Sequence, residues 1–344
     1  MKFGIAFANI VTFTQHDGLV TLAQSAEAAG FESLWTIEHV IYPEGYESSY
    51  PYDPSGKMMA DASTPMPDPL IWLAFVAAAT TNLRLGTGIV ILPQRNPVIL
   101  AKELATLDVL SEGRLQIGLG AGWLRQEYED ASIPFASASV RIARLEETAI
   151  LLKGLFGDEP LTFEGEHYQV RELRGTPTPV QRPRPPIMIG GGGPKLLAVA
   201  GRQADIVQLM PSNRGGSTGL DPSQFSAPAI EEKVGWIRTA AGSRFDEIEM
   251  SAQLLECVVT DRPDEHLADF ADRIATVTER MGGARVDLGT EDLRTSPIVA
   301  VGTLEEVCQR LRDTRDRYGI TYFAAPIDAK PETLAAVIEA LAAD

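Results

Sequence analysis

The sequence predicts an α/β protein built as a single (β/α)8 barrel, a TIM barrel with long lid-like insertions, spanning residues 1–344. Three observations predict it. Short apolar runs rich in β-branched residues alternate with longer segments of helical period, the mark of βαβ units. About eight such units follow one another with no low-complexity linker, which suits one closed barrel better than two doubly wound domains. Glycine clusters and polar pairs recur just after the strand-like runs, where a barrel carries its chemistry.

The elements follow in order. Lys2–Asn9 reads as a strand, and Gly18–Ala29 as an Ala-rich helix closed by Gly30, a C-cap residue. Phe31–Ile37 is a second strand. Pro69–Thr80 is a helix with Asp68 as N-cap and Pro69 at its first position. Leu83–Leu92 is a strand, Pro97–Leu110 a helix, Arg114–Leu119 a strand and Arg144–Phe156 a helix. Ile187–Ile189 is a short strand before the helix Lys195–Arg202, and Asp205–Leu209 is the next strand. Helices over Ile230–Ala241 and Asp264–Met281 flank the strand Glu249–Thr260. Leu304–Tyr318, Ile320–Ala324 and Pro331–Ala342 complete the series as helix, strand and helix. Two long connections, Val40–Pro67 and Asp158–Pro186, break the rhythm and are expected to act as lids.

Composition narrows the class. Hydrophobic residues make up 44% of the chain and charged residues 22%, enough for a large core. The net charge of −17 argues against nucleic acid or an anionic membrane as the main partner. Two cysteines, Cys257 and Cys308, are too few for a disulfide framework and read as small buried hydrophobes. The longest apolar run, Leu70–Ala79, is too short to cross a bilayer, and Met1–Ile5 lacks the shape of a signal peptide. A cytoplasmic protein is expected.

Four features can carry chemistry. Glu38-His39 follows the strand Phe31–Ile37, a place for acid–base or charge-stabilising work, although a histidine simply hydrogen-bonded at a strand end fits equally well. Gly190-Gly191-Gly192-Gly193-Pro194 lies between a strand and a helix, so backbone N–H groups and the helix N-terminus can receive an anion, with Lys195 and Arg202 adding nearby positive charge. It is neither a Walker loop nor a Rossmann fingerprint, which belongs in the first βα unit. Thr87, Gly88 and Ile89 sit in Leu85-Gly86-Thr87-Gly88-Ile89, where glycines mark either a bulge beside a ligand or a crowded barrel strand. Gly120 and Ala121 lie in Gly118-Leu119-Gly120-Ala121-Gly122-Trp123, leaving floor space beside an indole that either walls a planar ligand or packs in the core. The four histidines are scattered without paired spacing, so no metal site is expected.

These features, in this order, resemble the luciferase-like monooxygenase superfamily, in particular its coenzyme F420-dependent oxidoreductases. The resemblance covers nearly the whole chain and rests most on Leu34–Val40, Leu83–Pro97 with Ala101-Lys102-Glu103, and Ala105–Trp123, joined by Gly190–Pro194 and Gly319-Ile320-Thr321-Tyr322. It implies a bacterial-luciferase-like barrel, commonly a homodimer, with a tricyclic cofactor ring in its mouth. On that pattern His39 faces the reactive edge of the ring, aided by Glu38, and Thr87, Gly88 and Ile89 form the bulge behind it. A cis peptide between Gly88 and Ile89 is expected, and Gly191, Gly192 and Gly193 would take the cofactor phosphate. Tyr42, Tyr50, Tyr52, Trp72 and Trp123 are candidate lid and pocket walls.

The sequence departs from the sugar-phosphate dehydrogenases of this group. Glu38 stands where they carry Asp, Trp123 where they place a catalytic Glu, and no trio of basic residues awaits a substrate phosphate. The expected activity is F420-dependent hydride transfer to or from a small unsaturated or alcohol-type compound. The alternatives are an FMN-dependent monooxygenase using O2, and a protein that binds a flavin or deazaflavin without turnover.

Overall fold

The computed structural model describes residues 1–10, 14–43, 63–211, 222–280, 288–326 and 329–344. Thirteen strands lie among these residues: β1 (Lys2–Ile5), β2 (Ser33–Thr36), β3 (Arg84–Thr87), β4 (Val90–Ile91), β5 (Leu115–Gly120), β6 (Leu161–Glu164), β7 (Gln169–Leu173), β8 (Ile187–Gly191), β9 (Ile206–Leu209), β10 (Glu249–Gln253), β11 (Glu256–Val259), β12 (Val299–Gly302) and β13 (Ile320–Ala325). The described α-helices are α1 (His16–Ala28), α2 (Pro69–Ala79), α3 (Pro97–Leu110), α4 (Arg125–Asp130), α5 (Ala138–Leu155), α6 (Pro194–Gln203), α7 (Ala227–Ala241), α8 (Pro263–Arg280), α9 (Thr290–Thr295), α10 (Leu304–Tyr318) and α11 (Pro331–Leu341).

The main sheet runs β3-β2-β1-β13-β10-β9-β8-β5-β4, all parallel, and pairing of β3 with β5 closes it. The result is the expected eight-stranded (β/α)8 barrel, with β4 a two-residue extension beyond β3. Helix starts follow local chemistry. Asp68 accepts from the N–H groups of Leu70 and Ile71 at α2, and Asn96 accepts from those of Val98 and Ile99 at α3, each just before a proline at the first helical position.

The core has two layers. Buried aliphatic residues of the strands pack against the helices in one large cluster. Inside the barrel, Trp35, Met188, Ile206 and Tyr322 form a plug with Ile89 against it. The Tyr322 hydroxyl lies 2.5 Å from Ser33 Oγ and donates to Gln116 Oε1 at 3.0 Å, so the polar tip of a fully buried ring is satisfied.

Three sequence expectations change. Leu83–Leu92 is not one strand: the expected cis Gly88–Ile89 peptide is present and separates β3 from β4. Glu249–Thr260 splits into β10, in the barrel, and β11, which pairs outside it with β12, a strand the periodicity did not reveal. The connection Asp158–Pro186 is not a lid over the strand ends. It links a helix to a strand, so it returns to the opposite face of the barrel. There it forms the β6–β7 hairpin, and Gln181 then bonds Asp108 and the carbonyl of Leu115, the first residue of β5. Of the other connection, 44–62, including Tyr50 and Tyr52, lies outside the described residues.

Helix α2 has no charged residue, and Ile71, Phe75, Ile99 and Leu110 of α2 and α3 stand 54–68% exposed. No helix among the described residues is long and apolar enough to cross a membrane.

Candidate active site

Four consecutive barrel strands, β2, β3, β5 and β8, bring the predicted residues to one end of the barrel, the C-terminal ends of the strands. After β2 the chain is gripped by a buried amide from the β1 exit. Asn9 Oδ1 accepts the Ile37 N–H at 2.8 Å, while its Nδ2 donates to the carbonyls of Ile37 (2.9 Å) and Pro67 (3.2 Å).

Glu38 and His39, adjacent in sequence, bond to different partners. Glu38 is buried; it accepts the Ile91 N–H at 2.5 Å and Arg95 Nε at 3.0 Å, with a second bond from Arg95 Nη2. Arg95 also reaches Asp68 at 3.1 Å. Burial pushes the Glu38 carboxyl up from its ordinary value, against the pull of Arg95. The His39 ring turns instead to Glu127: Nδ1 lies 2.9 Å from Oε2, and Oε1 of the same carboxylate accepts the Val40 N–H at 2.6 Å. The expectation that Glu38 aids His39 therefore changes. Glu38 holds the segment after the cis bulge, and the acid on the histidine ring is Glu127.

The side chains of Tyr42 and Trp123 do gather at His39, both ring centroids 6.2 Å from its own and steeply inclined, with Leu124 packed behind them. Trp72 does not: it is buried in the main core on α2, because that helix turns it toward the barrel wall.

The bulge is built from β3 and β5. Thr87 is fully buried, and its hydroxyl accepts the Gly118 N–H and donates to the Gly118 carbonyl, at 2.8 and 2.9 Å. Thr87 thus seams two strands, and Ile89 turns its side chain into the barrel interior over Gly120. A Cβ at Gly118 would fall only 1.7 Å from the Thr87 carbonyl, so that position needs glycine, while one at Gly120 would fall 2.2 Å from Ile89 Cδ1 and displace that side chain. The Ala121 carbonyl is taken by Tyr128 and Arg141.

At β8 the four glycines divide. Gly190 ends near Gln208, Gly191 packs on Leu196, and a Cβ at Gly192 would strike the carbonyls of Met210 and Pro211 at 2.5 and 2.3 Å. Gly193 is the N-cap of α6, gives that helix no side-chain cap, and borders open space, with nothing within 4 Å of a Cβ. Uncapped first-turn N–H groups beside open space fit an anionic group. Lys195 is exposed on the first turn, but Arg202 is held in a two-pronged pair by Glu146 and lies outside this cradle.

Asn9, Arg95 and Glu127 escaped the sequence reading. Glu127 had only a faint signal, its place beside Tyr128 in the short charged helix that follows Trp123-Leu124.

The chain matches the luciferase-like monooxygenase family over residues 1–322. It is 33% identical over 190 residues to an F420-dependent glucose-6-phosphate dehydrogenase of Kineococcus radiotolerans, covering 54% of this chain and 50% of that protein. It is 31% identical over 234 residues to the oxygenase component of a flavin-dependent trigonelline monooxygenase of Acinetobacter baylyi, covering 68% and 56%. A solved long-chain alkane monooxygenase shares the fold at 16% identity with a TM-score of 0.75, over 100% of this chain and 91% of that one. With its cis bulge, histidine-bearing β2 exit and glycine-rich β8 turn on the barrel end that carries chemistry, this chain belongs to the luciferase-like monooxygenase family of oxidoreductases.

Proposed function

We propose that the protein is an F420-dependent oxidoreductase that moves a hydride to or from a small unsaturated or alcohol-type organic substrate. The observation that carries this reading is the gathering of His39, the Gly88–Ile89 bulge and the open α6 N-terminus on adjacent strands of one barrel end. The relative from Kineococcus radiotolerans supports the choice of cofactor.

Bound there, a 5-deazaflavin supplies a hydride-carrying ring. The chain's own residues do the rest. The first-turn N–H groups of α6 at Gly193 would hold the cofactor phosphate, and Ile89 would line the place of the ring. His39 stabilises charge or relays a proton at its ring nitrogen. Tyr42 and Trp123 exclude water and shape an apolar slot, which favours a flat, uncharged substrate over a phosphorylated one.

The test is a titration of the apo-protein with F420 and with FMN, followed by cofactor fluorescence. Micromolar or tighter F420 binding with weak FMN binding is expected, and it justifies a screen of enones, quinones and alcohols. Preference for FMN moves the protein to the oxygen-dependent reading suggested by the Acinetobacter baylyi relative. Turnover abolished in His39→Ala with binding retained excludes a storage role. We also propose a homodimer through the exposed apolar face of α2 and α3. Light scattering of Ile71→Glu/Ile99→Glu is expected to show monomers, and an unchanged mass rejects that face.

A further inference from the structure

We infer that Glu127 is a positioning residue that fixes which nitrogen of His39 carries the proton offered to the site. The inference rests on His39 being the reacting histidine and goes one step beyond it.

The geometry is specific. Glu127 is buried, with its side chain 1% exposed, and the His39 side chain is only 9% exposed. An ionised carboxylate only accepts hydrogen bonds. Oε1 takes the Val40 N–H at 2.6 Å, and Oε2 lies 2.9 Å from His39 Nδ1. With Oε2 accepting, Nδ1 carries a hydrogen, and Nε2 is the nitrogen left to the substrate side. The carboxylate also binds the backbone one residue along, so it fixes both where the ring sits and how it is turned. Helix α4 is in turn held by its own neighbours. Tyr128 donates to the Ala121 carbonyl, and burial raises its phenol well above the ordinary range, keeping it a donor. Arg141 donates to the same carbonyl. Glu38 does not compete for the ring, since its oxygens are engaged by Ile91 and Arg95. One acid therefore orients the histidine and another orients the bulge.

An orienting acid of this kind acts through the tautomer it selects, and replacing it by its amide changes rate far more than shape. In Glu127→Gln one oxygen remains. With it on the Val40 N–H, the amide N–H2 faces the ring, Nδ1 must accept, and the proton of the neutral ring moves to Nε2.

The experiment is two-bond proton–nitrogen NMR of the protein labelled with 15N-histidine, at a pH above the ordinary imidazole range, with His39 assigned from its absence in His39→Ala. Wild type is expected to show His39 protonated at Nδ1 and Glu127→Gln to show it protonated at Nε2. Wild-type His39 protonated only at Nε2 overturns the inference, whether or not any variant folds. An identical tautomer in wild type and a folded Glu127→Gln also overturns it. Kinetics supply the second arm: Glu127→Gln is expected to bind cofactor as wild type does while kcat falls at least ~10-fold. An unchanged kcat overturns the positioning role. If wild type binds neither F420 nor FMN, the functional reading fails while the NMR arm still reports on the histidine.

Discussion

Two carboxylates at opposite ends of the barrel make nearly the same bonds and respond in opposite ways. Glu38, at the C-terminal mouth, accepts a backbone N–H from Ile91 and an arginine, Arg95. Asp205, at the N-terminal face just before β9, accepts the N–H of Ile187 and a two-pronged Arg184. Burial raises both, yet at Glu38 it wins, and the carboxyl stays above its ordinary value, whereas at Asp205 the Arg184 and Ile187 bonds win and hold it below. Exposure decides: the Glu38 side chain is 2% accessible and that of Asp205 32%. The mouth tolerates a desolvated charge where geometry requires it, while the opposite face uses charges that favour the fold. That division matches the usual barrel rule of chemistry at one end and stability at the other.

The sharpest way to break this division is at His39. His39→Ala is expected to lower kcat/KM by roughly 10²–10⁴-fold, the scale of lost acid–base assistance, with the thermal midpoint little moved. A loss confined to stability would place His39 with the structural residues. The converse change is Asp108→Ala on α3. This fully buried acid accepts the N–H groups of Val180 and Gln181 and the Gln181 amide. Its removal leaves donors without a partner, so a stability loss of about 1–3 kcal/mol is expected in urea unfolding, with kcat/KM unchanged. A rate loss larger than the stability loss explains would show the two ends to be coupled.

Gly193→Asp separates the two terms within one position. Aspartate is a good N-cap, so the thermal midpoint is expected to hold or rise slightly. The same charge faces the open space where the phosphate is proposed, and a roughly tenfold weaker cofactor Kd, about 1.4 kcal/mol, is expected by titration. Unchanged affinity would move the phosphate elsewhere. The smallest effect is in acid. The Asp205 contribution is present above its ordinary value of 3.8 and is lost as pH falls through its lower folded value; Asp205→Asn removes that loss. Glu38 has the opposite sign: its contribution is present below its ordinary value of 4.5 and is lost as pH rises through its higher folded value. Urea midpoints measured from neutral pH downward are expected to show that Glu38→Gln removes a small gain on acidification. Parallel profiles for both variants would refute the contrast.

Much of the barrel was legible because a strand and a helix differ in period, and period survives in one sequence. The breaks were legible only in part. Leu83–Leu92 reads as one apolar run, while its glycines and the family resemblance mark Gly88–Ile89 as a bulge with a cis peptide, which the structure shows. The site was legible where one residue type suffices, as at His39 or Gly193. Glu127 lies 88 residues from His39, and pairing across such a distance leaves no local mark. Glu38 misled the other way: adjacency in sequence suggested a partnership, but its oxygens are engaged by Ile91 and Arg95.

The Asn9 amide carries a consequence for how the mouth of the barrel is held. By tying Ile37 to Pro67, it fastens both feet of a connection some thirty residues long to the rim of the barrel. Anything grafted between those feet inherits a fixed mounting, and the histidine beside one foot keeps its place. The rim therefore holds the backbone beside His39 by bonds of its own, at the two points where this connection leaves and rejoins the barrel.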